Sequence, residues 1–286
     1  MELFSQIIVN GILLGGLYGL MALGMGLVWG VLNIVNLAHG ALIMFGAYAL
    51  YYLFSGLGLD PFVGLPLAML ILFCFGYLLQ RGLLNLIVRS ALLNTLLITF
   101  GLDAVFAHVA QLAFSADFRT INPTYAGNNF QFFGLTIPLA RLAAFGVALL
   151  LAVLLWLFLG HTRTGRAIRA TAQNLTAARL YGVNPRAMYA LTFGIGAALA
   201  GAAGGLYGIV SQFTPYIGAS LTAKSFVIAI LGGLDKPLGV IGGGLVLGVA
   251  EALTALYLGP TYTDVISFGL LVLILVSRPA SVFERA

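Results

Sequence analysis

The stretch between Glu2 and Asp60 reads LFSQIIVNGILLGGLYGLMALGMGLVWGVLNIVNLAHGALIMFGAYALYYLFSGLGL and contains no Asp, Glu, Lys or Arg. A soluble domain does not leave such a stretch uncharged, because its surface must face water and charged residues are mostly exposed. One crossing of a lipid bilayer takes about 20 mostly apolar residues, so this interval has room for two crossings. The stretch therefore predicts a membrane protein.

The rest of the chain has the same character. Of its 286 residues, 61% are hydrophobic and 7% are charged, whereas about a quarter of the residues of a soluble domain are charged. Further charge-free intervals run over 61–80, 120–140, 142–162, 187–223, 237–250, 252–263 and 265–277. We predict an all-α, polytopic integral membrane protein with a single transmembrane domain over 1–286. The first apolar stretch follows Met-Glu without a basic segment or a cleavage site, so we expect it to be a transmembrane helix.

The net charge of +5 does not indicate nucleic-acid binding, because the arginines concentrate in one loop between apolar segments, over 160–186. This loop contains Arg163, Arg166, Arg169, Arg179 and Arg186 and no acidic residue. Cytoplasmic loops of membrane proteins are enriched in Lys and Arg, so we place the loop inside.

With that loop inside, the apolar segments can be ordered across the membrane. They are 6–32, 38–57, 61–80, 91–114, 137–159, 187–211, 221–232, 238–257 and 264–277. These nine crossings place the N-terminus outside and the C-terminus inside. Inside turns and the C-terminal end carry Arg81, Arg89, Asp235, Lys236, Arg278 and Arg285. The exceptions to the positive-inside pattern are Arg119, Arg141 and Lys224.

Two places are too short or too polar for a complete membrane helix. Residues 221–232 extend over roughly 18 Å as a helix, which is less than the ~30 Å of the hydrocarbon core. Residues 33–40, NIVNLAHG, place two Asn and one His between apolar runs. Interrupted helices are tolerated in a membrane only where protein or a water-filled cavity satisfies the freed backbone. In transporters they point to the pathway.

The candidates for lining a translocation route are Asn33, Asn36, His39, Gly40 and Lys224. The first three are spaced three apart, so a helix would place them roughly on one face, and glycine permits a break or a close approach. The alternative is that these polar groups only hydrogen-bond neighbouring helices and hold the bundle together. Lys224 either extends to the membrane surface or attracts an anionic carboxylate. Neither segment contains paired charges or metal ligands, so we expect no strong solute site and no metal site.

Asp103 and Glu251 fall inside predicted crossings. A carboxylate at mid-bilayer costs a few kcal/mol on insertion scales, so such residues face the protein interior or a cavity. Three interpretations stay open: proton coupling, a structural hydrogen bond, or a position nearer the membrane surface.

Small residues recur at four-residue spacing at Gly11, Gly15 and Gly19, which is typical of closely packed membrane helices. The hexapeptide GGLYGL at 15–20 resembles GGLYGI at 204–209. The order of crossings gives the two helices opposite directions, as in an inverted repeat. The alternative is chance matching in a chain rich in Gly and Leu.

The basic loop reads HTRTGRAIRATAQNLTAARLYGVNPR over 161–186. A first helical stretch would place Arg166 and Arg169 on one face, and a second, around LTAARLY, would end at Gly182 before Pro185. We therefore expect one or two amphipathic helices on the cytoplasmic surface, forming a docking surface for a cytoplasmic partner. The alternative is a loop that contacts anionic lipid.

The second stretch resembles a known motif. Thr176, Ala177 and Ala178, followed after three residues by Gly182, are similar to the Glu-Ala-Ala-x-x-x-Gly loop of ABC importer permeases. Thr176 replaces the Glu, and the Ile-x-Leu-Pro element that follows in those permeases is missing. Four longer stretches look like the branched-chain amino acid permease family, and within it like the smaller, Liv H type of its two permeases. They are GGLYGLMALGMGLVWGVLNIVNLAHGALIMFGAY at 15–48, TRTGRAIRATAQNLTAARLYGVN at 162–184, KSFVIAILGG at 224–233 and GVIGGGLVLGVAEAL at 239–253.

The resemblance implies a permease subunit of an ABC importer in the cytoplasmic (inner) membrane of a bacterium. Its partners would be a second, larger permease in a pseudo-symmetric heterodimer, two cytoplasmic ATPases and an external solute-binding protein. ATP and Mg would bind to the ATPases, and this chain would bind no cofactor. The residues expected to contact an ATPase are Arg166, Arg169, Thr176, Ala177, Ala178, Arg179 and Gly182.

The sequence contains no Gly-Lys-Ser/Thr phosphate loop, no His-Glu-x-x-His and no Gly-x-Ser-x-Gly, so we expect a transport subunit and not an enzyme. Leucine, isoleucine and valine are the expected solutes. Urea, short amides and small carboxylates are alternatives, because relatives with similar motifs carry them. A further alternative is an ion-coupled secondary transporter, for which only Asp103 and Glu251 offer a coupling site.

Overall fold

A computed structural model of the chain describes residues 2–86, 88, 92–132, 134–233 and 236–277. The helices in chain order are α1 (Glu2–Leu32), α2 (His39–Leu57), α3 (Pro61–Gly82), α4 (Leu92–Phe114), α5 (Leu139–His161), α6 (Arg163–Gln173), α7 (Leu175–Leu180), α8 (Pro185–Val210), α9 (Ile217–Gly232), α10 (Pro237–Tyr257) and α11 (Thr263–Ser277). Single 3₁₀ turns lie at Leu84–Leu86 and Pro260–Tyr262, and two strands, β1 (Asn129–Phe132) and β2 (Leu135–Pro138), precede α5.

Seven of these helices are long and apolar enough to cross a membrane, namely α1, α2, α3, α4, α5, α8 and α10. The helices α9 and α11 are apolar but shorter, with 16 and 15 residues. In the described ranges these helices follow the order of the predicted crossings, so the polytopic all-α fold is confirmed. The number of complete crossings and the orientation stay predictions. The predicted inside positions Arg89, Asp235, Arg278 and Arg285 lie outside the described residues.

The predicted external loop over 115–136 contains regular structure. The strands β1 and β2 pair antiparallel, with Asn129 opposite Pro138, and α5 begins directly after them. Arg119, an exception to the positive-inside pattern, fixes the start of this loop. Its guanidinium donates to the Phe114 carbonyl oxygen at 3.0 Å and lies 5.1 Å from the centre of the Tyr51 ring.

The predicted break between the first two crossings is confirmed, since α1 ends at Leu32 and α2 begins at His39. The His39 ring nitrogen Nε2 lies 2.9 Å from the carbonyl oxygen of Met21. Met21 precedes the end of α1 by about three turns, or roughly 16 Å of helix. The chain therefore turns back along α1, and α2 begins beside the middle of α1.

The short helix α9 begins in the same region. A Cβ atom added at Gly218, in its first turn, would lie 3.2 Å from the carbonyl carbon of Gly40, in the first turn of α2. That distance is tight for a side-chain carbon, so the two helix beginnings meet with hardly any side chain between them. The short crossing predicted over 221–232 is thus the C-terminal part of α9, which starts at Ile217.

The helices pack in two matching sets, α1–α3 and α8–α10. Helix α1 packs along α10 as α8 packs along α3, and α2 packs on α3 as α9 packs on α10. Each set has an irregular segment after its first helix, at 33–38 and at 211–216. GGLYGL lies in α1 and GGLYGI in α8, so the packing supports the predicted inverted repeat. Chance matching of two hexapeptides would not produce matched helix partners.

Glycines make the contact between α1 and α10. A Cβ atom added at Gly11 would lie 2.9 Å from the Cα atom of Val249, and one at Gly15 would lie 2.7 Å from the carbonyl oxygen of Gly244. A Cβ atom at Gly244 would in turn lie 2.6 Å from the Cα atom of Gly19. The predicted four-residue spacing therefore marks a line along which two backbones approach directly.

This contact gives a stability test. Gly244→Ala places a methyl group against the backbone of α1, and we expect it to lower the free energy of unfolding by about 1–3 kcal/mol, as overpacking does. The matched control is Gly242→Ala, because a Cβ atom added at Gly242 meets no atom within 4 Å. Thermal unfolding of the purified protein in one detergent measures both. Equal melting temperatures for the two variants would contradict the close approach.

Candidate functional site

One hydroxyl group joins the break in the first repeat to α9. Thr222 Oγ1 accepts a hydrogen bond from the backbone N–H of Gly40 at 2.8 Å. It lies 3.2 Å from the carbonyl oxygen of Leu37 and 3.0 Å from that of Gly218, to either of which it can donate. Backbone groups that the break removes from helical pairing are thus satisfied by α9. The two segments predicted to lie on the route are brought together.

The four predicted pathway residues of the break differ in exposure. Asn33 is exposed and has φ 54°. Asn36 is buried, and its Oδ1 accepts from the N–H of Ala38 at 3.1 Å, which orders the approach to α2. His39 is fully buried against α1, and Gly40 packs on α9. Only Asn33 among these four therefore lies at the surface of the isolated chain, while the other three hold the break in place.

Lys224 is paired, which the sequence analysis did not predict. Its Nζ lies 2.9 Å from Glu251 Oε1 and 3.3 Å from Asp264 Oδ1. The second oxygen of Glu251 accepts from the Tyr18 hydroxyl at 2.9 Å, and Oε1 also accepts from Ser267 Oγ at 2.6 Å. We call these five residues the α9–α11 ion cluster.

The two predicted segments contain no paired charges themselves, but Lys224 pairs with two carboxylates from outside them. The partners of Lys224 come from α10 and α11, so local sequence could not show them. A signal was present, however: Lys224 and Glu251 are lone charges of opposite sign in two predicted crossings. Of the two alternatives for Lys224, the structure shows the attraction of carboxylates, those of Glu251 and Asp264. Its side chain is 11% exposed and that of Glu251 is 5% exposed. Of the three interpretations for Glu251, the hydrogen bonds from Tyr18 and Ser267 favour a structural role.

Asp103 differs from Glu251. It is half-buried in α4, and among the described residues its carboxylate has no hydrogen-bond or ion-pair partner. It lines a cavity of about 110 Å³ that is otherwise mostly apolar. Of Asp103 and Glu251, Asp103 alone is left without a compensating partner among the described residues.

The basic loop forms two helices, as predicted. The Thr162 hydroxyl accepts from the N–H of Gly165 at 2.9 Å and starts α6, and Asn174 Oδ1 accepts from the N–H of Ala177 at 2.9 Å and starts α7. Gly182 follows α7 with φ 79°, a conformation that suits glycine and stops the helix. Pro185 is then the first residue of α8.

The surface of this loop is basic and apolar. Of the residues predicted to contact an ATPase, Ala178 is buried and Ala177 is half-buried; the others are exposed, namely Arg166, Arg169, Thr176, Arg179 and Gly182. Beside them Leu180 is 84% exposed and Tyr181 is 89% exposed. The sequence analysis treated these two only as helix formers. Adjoining exposed apolar side chains mark contact sites, so Leu180 and Tyr181 are added to the candidate docking surface.

The chain matches the family described as branched-chain amino acid transport system, permease component, over residues 7–275. It is 35% identical to the high-affinity branched-chain amino acid transport system permease protein BraD of Pseudomonas aeruginosa, over 99% of this chain and 96% of that protein. It is 33% identical to the corresponding protein LivH of Escherichia coli, with the same coverage of both chains. A match to the permease protein LivM of Escherichia coli is 30% identical and covers 92% of this chain and 67% of LivM. No solved structure matches the chain.

The ion cluster gives a second stability test. Lys224→Met leaves Glu251 buried without its cation, and breaking a buried pair on one side costs about 3–5 kcal/mol. We expect the double variant Lys224→Met/Glu251→Gln to recover much of that loss, because it buries no net charge at this pair. The control Lys236→Met alters an exposed lysine, and we expect an effect of at most about 0.5 kcal/mol. Thermal unfolding measures all three, and equal stability of Lys224→Met and Lys236→Met would contradict the pairing.

Proposed function

Because this chain belongs to the family of branched-chain amino acid transport system permease components, we propose that it is the membrane-crossing permease subunit of an ABC importer. It moves leucine, isoleucine, valine or a similar small amino acid into the cytosol. ATP hydrolysis on separate subunits drives the movement. The observation that carries the proposal is the match to BraD over nearly the full length of both chains. The polytopic helical fold is the architecture that this function needs.

In the proposed assembly, this chain is joined by four further subunits in a membrane. A second permease forms a pseudo-symmetric heterodimer with this chain, and the match to LivM supports a partner of related sequence. Two cytoplasmic ATPases bind ATP and Mg, which this chain does not bind itself. An external solute-binding protein delivers the amino acid. The whole lies in the cytoplasmic membrane of a bacterium.

The proposed ATPase contact is the exposed face of α6 and α7. Its arginines have no acidic neighbour in the loop 160–186, so an acidic groove on the partner would complement them. Leu180 and Tyr181 provide the apolar anchors on which such contacts depend. Ala178 is buried where α7 packs on the rest of the chain. A movement of the partner would therefore be transmitted through α7 to α8.

The proposed translocation route runs along the break over 33–40 and α9, next to the second permease. The support is physical: two helix beginnings meet inside the bundle, and interrupted backbone in a membrane lies against protein or water and not against lipid. Asn33 and the exposed side of α9 face out of this chain. Inside the chain, the interrupted segments are held in position by Asn36, His39, Lys224 and the backbone N–H of Gly40.

The function is tested on the complex of both permeases and both ATPases, reconstituted in vesicles with the binding protein. We expect ATP-dependent uptake of leucine that survives collapse of ion gradients. Arg179→Glu together with Leu180→Asp should lower uptake about tenfold or more and weaken copurification of the ATPases, because it reverses a charge and removes an apolar anchor.

The control is Asp117→Asn, an exposed change of charge in the loop after α4 and outside α6 and α7, which should leave uptake unchanged. Normal coupled uptake in the Arg179/Leu180 variant would contradict docking at α7. Uptake that needs an ion gradient and no ATP would instead support the secondary-transporter alternative.

Cysteine labelling tests orientation and route together. In a background of Cys74→Ser, we expect a cysteine at Gln173 to react from the cytoplasmic side and one at Asn128 from the outside. A cysteine at Asn33 should react with a water-soluble thiol reagent in the assembled complex, since a water-accessible route would reach it. Labelling of the first two from one side would contradict the orientation. Protection of the third in every nucleotide state would contradict the route.

A further inference from the structure

Asp103 lies midway along α4, roughly 16 Å from either end of that helix. A carboxylate at such a depth costs a few kcal/mol if it faces lipid, so it faces protein or a water-filled cavity. The ion cluster shows how this chain compensates a buried carboxylate: Glu251 receives a lysine and two hydroxyl groups. Asp103 receives none of these from the described part of the chain.

The cavity next to Asp103 is built from three helices. Its walls are Ala41 and Met44 of α2, Asp103 and Ala107 of α4, and Pro215, Tyr216, Gly218 and Ala219 at the start of α9. Its volume is about 110 Å³, which is several times the space that one water molecule needs. The cavity adjoins the place where the beginnings of α2 and α9 meet. Apart from Asp103, its lining is small and largely apolar.

The electrostatics across the cavity have two poles. Asp103 provides a negative charge on the α4 side. The first turn of α9 lines the same cavity; there the amides of Gly218 and Ala219 have no acceptor within the helix, and the helix dipole is positive. A free amino acid carries a positive and a negative group on one carbon, so it complements such an arrangement, whereas a simple anion or an uncharged amide uses only part of it.

We propose that this cavity is a transient site for a zwitterionic α-amino acid on its way through the importer, with Asp103 as the contact for the α-ammonium group. The aliphatic side chain lies against the exposed side chain of Tyr216, and the start of α9 contacts the α-carboxylate. The site deepens the proposed function and rests on it. A single charged contact in a half-open cavity holds the solute weakly, which suits a site that must release it.

The first experiment uses the full reconstituted importer. Asp103→Asn keeps the shape of the side chain and removes its charge, and we expect leucine uptake to fall at least tenfold. Solute affinity at the binding protein, assembly of the complex and its basal ATP hydrolysis should not change. The control Asp117→Asn alters an exposed carboxylate in the loop after α4 and should transport normally. Ala219→Leu, which fills the cavity, should also slow uptake.

The second experiment identifies the group that Asp103 recognises. Ligand-observed NMR on the complex of permeases and ATPases, without the binding protein, measures weak binding of leucine, isoamylamine and 4-methylpentanoate. Leucine and isoamylamine carry the ammonium group and should bind; 4-methylpentanoate lacks it and should not. Asp103→Asn should abolish the binding of both amines.

The outcomes separate this proposal from the proposed function. If the wild-type importer does not take up leucine, the proposed function fails. If it does, but Asp103→Leu transports at the wild-type rate, the site is wrong and the function stands. Loss of the second permease from the purified Asp103→Asn complex would show instead that Asp103 is an interface residue. Binding of 4-methylpentanoate as strong as that of leucine would overturn the ammonium assignment.

Discussion

In the hydrocarbon core of a membrane no water is available to hydrogen-bond a free amide or carbonyl, and this constraint shapes the centre of the protein. The chain interrupts two helices at 33–38 and 211–216, so several backbone groups lose their helical partners. Thr222 supplies one hydroxyl that serves the N–H of Gly40 and a carbonyl of Leu37 or Gly218. These bonds tie α2 to α9 at the first interruption. At the second, Phe213 exchanges two backbone hydrogen bonds of 2.9 Å with Arg119 in the loop after α4.

The close glycine contacts follow from the same constraint. Helices in a membrane gain little from burying apolar side chains, because lipid is equally apolar, so they associate through close backbone packing. Gly15 and Gly244 bring α1 and α10 together in this way, and Gly40 and Gly218 do so for α2 and α9. The matched packing of α1–α3 and α8–α10 means that the contact of α1 with α10 has a counterpart in the contact of α3 with α8.

The sequence predicted the fold class, the order of the apolar helices, the break before His39 and the two helices of the basic loop, because each rests on local composition or on turn residues. It did not predict that α2 begins beside Met21, since the direction of a chain after a break depends on packing. It also missed the pairing of Lys224 with Glu251 and Asp264, which joins three separate helices. The sequence did not predict the β-hairpin before α5, because the residues that flank its strands favour turns. The sequence also did not predict that Leu180 and Tyr181 are exposed, because their exposure depends on how α7 packs on the rest of the chain.

The two membrane carboxylates, Asp103 and Glu251, differ in charge balance, and this difference bears on the proposed solute. Lys224 and Glu251 neutralise each other and bind four helices into one unit, so their charges serve the fold. In the described part of the chain Asp103 has no such partner, and it lines the cavity between α2, α4 and the start of α9. A zwitterion has no net charge, but each of its charged groups loses water on entering a membrane protein, and burial of an unpaired charge is unfavourable. In the proposed route, one carboxylate and the first turn of α9 would lower that barrier for an amino acid and would hold it only weakly, because each charged group of the solute meets a single partner. The same arrangement offers little to an inorganic ion pair, which would need two full counter-charges at fixed positions.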